Sequence, residues 1–250
     1  MTDITHGHLL NGRVRYAQPA KGFRSGIEPV LLAASIPARA GQRVLEGGTG
    51  AGAGLLCLLT RLPGVEGVGI ELDPDQAALA RANAMMLHRD PGLPPSAGPI
   101  ILTGGVETVV PDGQFDHAFA NPPYHAASGT PSPDQARAAA KRGGPALLAL
   151  WAEALGRPLR PRGTLSFIVP ASCLGSCIQA MGEAGCPADA LLPLWPKSGM
   201  AAKLVVVRGI RQGRGPLRLL PGLVLHEPDG RFTPAADAIL RDAAALCLDH

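Results

Sequence analysis

A tetrapeptide directly after an apolar run combines the residue types needed to hold a flat amine. Asn121, Pro122, Pro123 and Tyr124 follow residues 115–120, which predict a buried strand. The side-chain carbonyl of Asn121 and the backbone carbonyl of Pro122 can accept the two N–H groups of such an amine, which orients its nitrogen and stabilises the positive charge that develops on it. The prolines stiffen the turn, and the ring of Tyr124 offers a stacking surface for a planar base. These four residues are candidate catalytic residues for transfer to a conjugated nitrogen.

A glycine-rich motif upstream has the spacing of a nucleotide-binding turn. Residues 42–46 predict a short strand, Gly48, Gly50 and Gly52 follow it, and residues 55–62 predict an apolar helix. Glycines let the backbone approach a ligand closely, and a helix start offers free N–H groups. The pattern predicts a site for an adenosine-type cofactor.

An acid follows the glycine motif at the distance that such a cofactor requires, about 20 residues. Residues 67–70 predict the next strand, which ends at Glu71, where a carboxylate can accept hydrogen bonds from a ribose diol. The glycines and the acid alone do not distinguish a nicotinamide dinucleotide from S-adenosylmethionine (SAM). A nicotinamide-dependent oxidoreductase, however, would leave the tetrapeptide at residues 121–124 unexplained.

Strands and helices alternate along the chain, which predicts a mostly parallel sheet with helices on both faces. Further strands are predicted at residues 100–102 and 164–169, and Asp73, followed by proline, is a predicted helix N-cap. Residues 190–195 and 202–208 are close enough in sequence to pair as an antiparallel hairpin.

The composition is typical of one globular domain without membrane spans. The 250 residues are 46% hydrophobic and 17% charged, and we predict a single domain over residues 1–250, in which residues 1–40 form an N-terminal arm and helix. No apolar run is long enough to span a membrane and no export signal is visible. The five cysteines, an odd number, therefore indicate reduced thiols in a cytoplasm. Their spacing does not indicate a metal site.

The basic residues are clustered although the net charge is only +3. Residues 197–218 contain six Lys and Arg and no acid, and residues 137–162 contain six against one acid. Such clusters would hold a polyanion if they converged on one face. The alternative for each cluster is a set of solvated strand ends and loops.

Together these motifs resemble the class I methyltransferases that use SAM to methylate amino groups. The resemblance rests on residues 44–52, Glu71 and residues 121–124. Residues 22–33 (Gly-Phe-Arg-Ser-Gly-Ile-Glu-Pro-Val-Leu-Leu-Ala) are similar to the segment that precedes the first strand of bacterial tRNA adenine-N6 methyltransferases, which modify the adenosine beside the anticodon of a valine tRNA. The resemblance covers nearly the whole chain, residues 9–246.

The resemblance implies both a fold and a reaction. The implied fold is a doubly wound, Rossmann-like α/β fold with a mostly parallel seven-stranded sheet that ends in an antiparallel hairpin. The implied reaction is N6-methylation of an adenine in RNA, near the anticodon of a tRNA, with SAM as cofactor and S-adenosylhomocysteine as product. RNA is therefore the expected partner, without a membrane, and the sequence leaves monomer and homodimer open.

The resemblance also assigns residues to the two parts of the site. The implied cofactor-binding residues are Glu46, Gly48, Thr49, Gly50, Gly52, Glu71, Leu72, Gly105, Val106 and Asn121. The implied substrate-binding residues, some of which would hold phosphates, are Phe23, Arg24, His125, Lys141 and Arg142. No metal is expected.

Three features depart from the family pattern. Glu46 stands where an aspartate is usual, with Gly47 after it in place of an apolar residue, and Glu28 replaces an aspartate in the N-terminal segment. The acid that often follows the third strand is missing, because residues 103–106 read Thr-Gly-Gly-Val, and Glu107 is the substitute that the sequence offers.

Two other functions are compatible with the motifs. Release-factor glutamine methyltransferases share the tetrapeptide, since an amide nitrogen is also planar, but their helical N-terminal domain needs many more residues than precede Val44. A module that binds SAM or RNA without turnover is the second alternative, and the missing acid near Gly105 favours it.

Overall fold

The chain alternates strands and helices, as its sequence pattern predicts. The computed structural model describes residues 3–20, 25–87, 98–109, 111–123 and 144–249. Its strands are β1 (Ile4–Leu9), β2 (Val14–Pro19), β3 (Arg43–Gly47), β4 (Glu66–Glu71), β5 (Ile100–Thr103), β6 (Phe115–Ala120), β7 (Leu159–Pro170), β8 (Ala188–Lys197), β9 (Leu204–Ile210), β10 (Arg218–Leu219) and β11 (Leu223–His226). Its α-helices are α1 (Glu28–Ala34), α2 (Ala53–Arg61), α3 (Pro74–Leu87), α4 (Pro145–Gly156), α5 (Leu174–Glu183) and α6 (Pro234–Asp242).

The order of the strands creates a switch point in the middle of the main sheet. Nine strands of the described chain form this sheet in the order β10-β8-β9-β7-β6-β3-β4-β5, and β11 also pairs with β8. The chain runs from β3 through β4 to β5 on one side, and then places β6 in parallel on the other side of β3. Open α/β sheets bind ligands at such a point, beyond the carboxyl ends of the strands.

The predicted seven-stranded core with a terminal hairpin is confirmed, and two short strands extend it. β9 is antiparallel to both β7 and β8, whereas the other pairs in the main sheet are parallel. β10 and β11 pair with successive parts of β8. They lengthen the sheet at the hairpin edge, away from the switch point.

Helices cover both faces of the sheet with apolar layers, as in a doubly wound fold. On one face, α1, α2, α3 and α6 pack over strand residues that include Val44 and Phe119. On the other face, α4 and α5 pack over residues that include Leu45 and Phe167. Val44 and Leu45 point to opposite layers because successive side chains of a strand alternate between its faces. No described helix has both the length and the apolar character needed to cross a membrane.

The N-terminal arm is a β-hairpin that lies outside the main sheet. β1 and β2 pair antiparallel with each other. Val14 and Tyr16 of β2 are buried, and β2 contacts both α2 and α3. The hairpin therefore lies against the helix that follows the glycine motif.

A buried aspartate ties three strands together at the amino edge of the sheet. Asp116, at the start of β6, accepts hydrogen bonds from the backbone N–H of Arg43 (2.9 Å) and the amide of Gln42 (3.1 Å). It also pairs with Arg160 of β7 at 2.7 Å. These contacts fix the starts of β3, β6 and β7 relative to one another.

A neutral histidine continues this network. The ring of His117 is hydrogen-bonded to Thr164 (Nδ1–Oγ1, 2.8 Å) and to Gln42 (Nε2–Oε1, 3.2 Å). Burial lowers the pKa of His117 to about 4. The ring is therefore uncharged at neutral pH and serves as a polar link between β6 and β7.

Several residues of the two basic clusters are paired with carboxylates of the protein itself. Arg208 and Arg218 both pair with Asp189, with N–O distances of 2.6 and 3.4 Å. Arg160 of the other cluster lies at the amino edge, where it pairs with Asp116. These arginines therefore do not converge on the carboxyl edge, where the tetrapeptide lies.

We predict that the buried ion pair at the hairpin edge contributes much more to stability than an exposed pair. Asp189→Ala should lower the free energy of unfolding by about 3 kcal/mol, because the buried Arg208 guanidinium loses both bonds to Asp189 and keeps a pair with the more exposed Asp249. The control, Asp237→Ala, breaks an exposed pair with Arg241 and should cost less than about 1 kcal/mol. Urea denaturation measures both values. Equal losses in the two variants would contradict the prediction.

Candidate active site

The tetrapeptide and the glycine motif meet at the switch point. In the parallel pairing of β3 with β6, Gly47 lies opposite Ala120. Gly48 and Asn121 are therefore the residues that directly follow two neighbouring strands. Since such strands lie about 4.8 Å apart, the turn that begins at Asn121 starts beside the glycine motif.

The described part of the tetrapeptide is partly accessible. Asn121 is half-buried, Pro122 is buried and Pro123 is exposed. Tyr124 lies outside the described residues, so its stacking role stays a prediction. The same holds for the predicted substrate-binding residues, which are Phe23, Arg24, His125, Lys141 and Arg142.

Residues 48–52, the glycine loop, form a tight turn that leads into α2. Gly48 and Gly50 have φ values of +63° and +56°, in the left-handed region that glycine adopts without strain. A Cβ on Gly48 would lie 2.6 Å from the ring of Trp151 on α4, whereas a Cβ on Gly50 would meet open space. Gly52 is the N-cap of α2. The loop thus rests on Trp151 and is open to a ligand at Gly50.

Glu46 of β3 braces the glycine loop from the protein interior. Its buried carboxylate accepts hydrogen bonds from the Thr49 hydroxyl and from the backbone N–H of Leu55, the latter at 3.1 Å. Burial raises the pKa of Glu46 to about 8, although both hydrogen bonds act in the opposite direction. In this structure Glu46 and Thr49 contact each other and shape the loop.

Glu71 holds the glycine loop from the neighbouring strand. One carboxylate oxygen accepts the backbone N–H of Gly50 at 2.7 Å, and the other accepts that of Asp73 at 2.9 Å. Each oxygen keeps lone pairs for further donors, such as ribose hydroxyls. Leu72, the next residue, is 66% exposed and offers an apolar surface at the same edge.

The two carboxylates determine the charge of ligand that the loop favours. In a dinucleotide-binding loop the N–H groups around the helix start face a pyrophosphate. Here the N–H groups of Gly50 and Leu55 donate to Glu71 and Glu46. Glu71 adds a negative charge beside the loop, whereas Glu46, whose pKa burial raises to about 8, occupies a donor without adding a full charge at neutral pH. The site therefore favours a cationic ligand over a pyrophosphate.

The end of β5 borders the same site. The backbone N–H of Gly104 donates to the carbonyl of Glu71 at 2.8 Å. Val106 is buried, and a Cβ on Gly105 would lie 2.6 Å from the carboxylate of Glu107. The acid that the sequence offers as a substitute thus lies against Gly105. In the described part of the chain, no three His, Cys, Asp or Glu side chains are grouped as metal ligands.

A buried asparagine beside the loop was not among the predicted site residues. Asn83 of α3 is fully buried and donates a hydrogen bond to the carbonyl of Ala51 at 2.8 Å. A signal for it exists in the sequence, because Asn83 shares a helix face with the buried Ala80 and Leu87. A polar side chain at an apolar position of the pattern indicates a buried hydrogen-bonding role.

Solved structures identify the architecture. A predicted O-methyltransferase from Agrobacterium tumefaciens matches with a TM-score of 0.69 at 22% identity, covering 89% of this chain and 100% of that one. A class I SAM-dependent methyltransferase candidate from Listeria monocytogenes matches with a TM-score of 0.55 at 16% identity, covering 84% of this chain and 67% of that one. The chain has the class I methyltransferase fold. The predicted fold class is therefore confirmed.

Sequence comparison confirms the resemblance that the motifs predict. The chain is 32% identical over 161 residues to the tRNA1(Val) (adenine(37)-N6)-methyltransferase of Porphyromonas gingivalis, and the match spans 61% of either chain's length. It is 28% identical over 213 residues to the enzyme of the same name from Aeromonas hydrophila, covering 84% of this chain and 86% of that one. No protein-family model matches the chain.

We predict that Glu46 makes the stability of this methyltransferase fold depend on pH. Its pKa of about 8 lies above the ordinary value of 4.5, so its contribution is complete below that ordinary value and is lost as the pH rises through the folded value. Relative to Glu46→Gln, the free energy of unfolding of the wild type should fall by about 1 kcal/mol per pH unit between about pH 5 and 7.5. Urea denaturation at a series of pH values measures this difference, and parallel profiles would contradict it.

Proposed function

We propose that this protein transfers a methyl group from SAM to the exocyclic amine of an adenine in RNA, namely a tRNA adenosine near the anticodon. The observation that carries the proposal is the position of Asn121 beside a glycine loop at which the carboxylate of Glu71 favours a cationic ligand. A flat amine held at Asn121 and a cofactor held at Gly50 would share one edge of the sheet.

SAM fits the glycine loop in charge, and the loop is open to a ligand at Gly50. When bound, SAM supplies an electrophilic methyl group on a positively charged sulfonium. Gly48 and Gly50 would let the backbone approach it, and Glu71 would accept hydrogen bonds from its ribose. The exposed side chain of Leu72 would contact the adenine ring, while Glu46 would maintain the loop. Gly105, Val106 and Asn121 would border the same ligand.

Asn121 and Pro122 would prepare the amine for attack. The lone pair of an adenine amine is delocalised into the ring, so the nitrogen is a poor nucleophile. Two carbonyl acceptors on its N–H groups hold it in line and stabilise the positive charge that develops on it. The ammonium product loses its proton readily to water, so a general base is not required. Stacking of the base on Tyr124 remains part of the proposal.

The relatives support RNA as the substrate. The proteins from both organisms are named for adenine 37 of a valine tRNA, and neither name refers to a glutamine of a protein. We therefore favour adenine over glutamine as the acceptor. The RNA would contact Phe23, Arg24, His125, Lys141 and Arg142. We also propose that the protein acts in the cytoplasm.

Asn121→Ala should abolish turnover without abolishing cofactor binding. Loss of one carbonyl acceptor leaves the amine unoriented, and we expect the rate at saturating SAM to fall by at least about 100-fold. The dissociation constant of S-adenosylhomocysteine, measured by calorimetry, should change by less than about threefold. The control is Gln114→Ala, because Gln114 is exposed beyond the opposite end of β6. Unchanged turnover in Asn121→Ala would exclude this mechanism.

Mass spectrometry of tRNA nucleosides tests the substrate class. A strain that lacks the gene should lose N6-methyladenosine from its tRNA, and purified protein with SAM should restore it. Restoration by the wild type and not by Asn121→Ala would link the modification to this site. Intact tRNA methylation together with loss of a methylated glutamine in a protein would instead support the glutamine alternative.

A further inference from the structure

Asn83 joins three segments that meet behind the glycine loop. It is fully buried in α3. Its Oδ1 accepts the backbone N–H of Ala17 in β2 at 2.9 Å. Its Nδ2 donates to the carbonyl of Ala17 and to the carbonyl of Ala51, both at 2.8 Å. One side chain thus connects the N-terminal hairpin, α3 and the glycine loop.

The chemistry of the side-chain amide explains why asparagine occupies this position. It carries the same donor and acceptor as a peptide group, so it pairs with both backbone groups of Ala17 as a neighbouring strand would. Its second N–H remains available for Ala51. An apolar side chain here would leave three backbone groups unpaired in the interior, and each unpaired group carries a desolvation cost.

Packing next to Asn83 brings the hairpin into direct contact with the glycine loop. Tyr16 forms a small apolar cluster with Ala51 and Ala53. Its hydroxyl is hydrogen-bonded to that of Ser25 at 2.8 Å. Burial raises the pKa of Tyr16 to about 12, so the hydroxyl keeps its proton at physiological pH. The hairpin is thereby also held at Tyr16, the residue before the Ala17 contact.

We propose that Asn83 is a positioning residue through which the N-terminal hairpin and the cofactor-binding loop stabilise each other. Ala51 lies between Gly50 and Gly52, so a fixed Ala51 carbonyl fixes the peptide planes on which a ligand would rest. A cofactor that orders the loop then favours docking of the hairpin. By thermodynamic reciprocity, docking of the hairpin raises the affinity for the cofactor by the same factor. The identity of that cofactor rests on the proposed function.

The first test separates positioning from general destabilisation. In Asn83→Ala, calorimetry should show a dissociation constant for S-adenosylhomocysteine about tenfold higher than in the wild type, while kcat at saturating SAM changes less than threefold. The matched control, Thr164→Val, removes a buried hydrogen bond to His117 at the opposite edge of the sheet and should leave the dissociation constant unchanged. An equal rise in both variants, or none in Asn83→Ala, would overturn the proposal.

The second test measures the coupling itself by hydrogen exchange. Addition of S-adenosylhomocysteine should slow the exchange of the backbone amides of residues 14–18 at least about threefold in the wild type and not in Asn83→Ala. If Asn83→Ala does not fold, Asn83→Asp replaces it, because this variant keeps the acceptor for the Ala17 N–H and loses the donors to the carbonyls of Ala17 and Ala51. If the ligand does not change the amide exchange rates of residues 14–18 in the wild type, the coupling is refuted.

A third measurement needs no ligand, so it separates this inference from the proposed function. Failure of S-adenosylhomocysteine to bind the wild type would contradict the proposed cofactor. In the ligand-free protein, Tyr16→Phe removes the hydrogen bond to Ser25. This substitution should speed the amide exchange of residues 50–52 when residue 83 is asparagine, and should not do so when it is combined with Asn83→Ala. No change when residue 83 is asparagine, or the same change in Asn83→Ala, would refute the role of Asn83 whatever the cofactor is.

Discussion

Two carboxylates that accept backbone N–H groups around a glycine-rich turn are the constraint on which the rest of the site depends. Glu46 fixes the turn from the interior, and Glu71 fixes it from the next strand. Without them the same donors would form an anion site. With them the turn favours a cation, and the pairing of β3 with β6 places Asn121 beside the turn. Charge and strand order therefore both support the proposed methyl transfer over redox chemistry with a dinucleotide.

The main elements of the fold could be predicted because their signals are local. Apolar runs mark the parallel strands, and Asp73 accepts the N–H of Asp75 at 2.8 Å as the predicted N-cap of α3. Residues 217–226 are β-like in sequence, and the structure forms within them β10 and β11, of two and four residues. Their pairing depends on an available edge of β8, which is a property of the assembled sheet.

The site was only partly predictable, for a reason that concerns its hydrogen-bond partners. Gly48, Glu71 and Asn121 belong to motifs with recognisable residue types, and the structure brings these motifs to one edge. Asn83, by contrast, bonds to backbone atoms of alanines, Ala17 and Ala51. Almost every residue type has the same backbone N–H and carbonyl groups. A sequence pattern can therefore indicate that a polar side chain is buried, but not which backbone atoms it bonds to.

The buried Asp116 has a consequence for how this fold tolerates change. It joins the starts of β3, β6 and β7, five residues before Asn121 along β6, a distance of about 17 Å in an extended strand. A slip of one residue there would send each β6 side chain to the opposite face and carry Asn121 past Gly48. Because the strands are anchored at the end remote from the chemistry, loops at the reacting end can vary in length while the alignment of the two motifs is preserved.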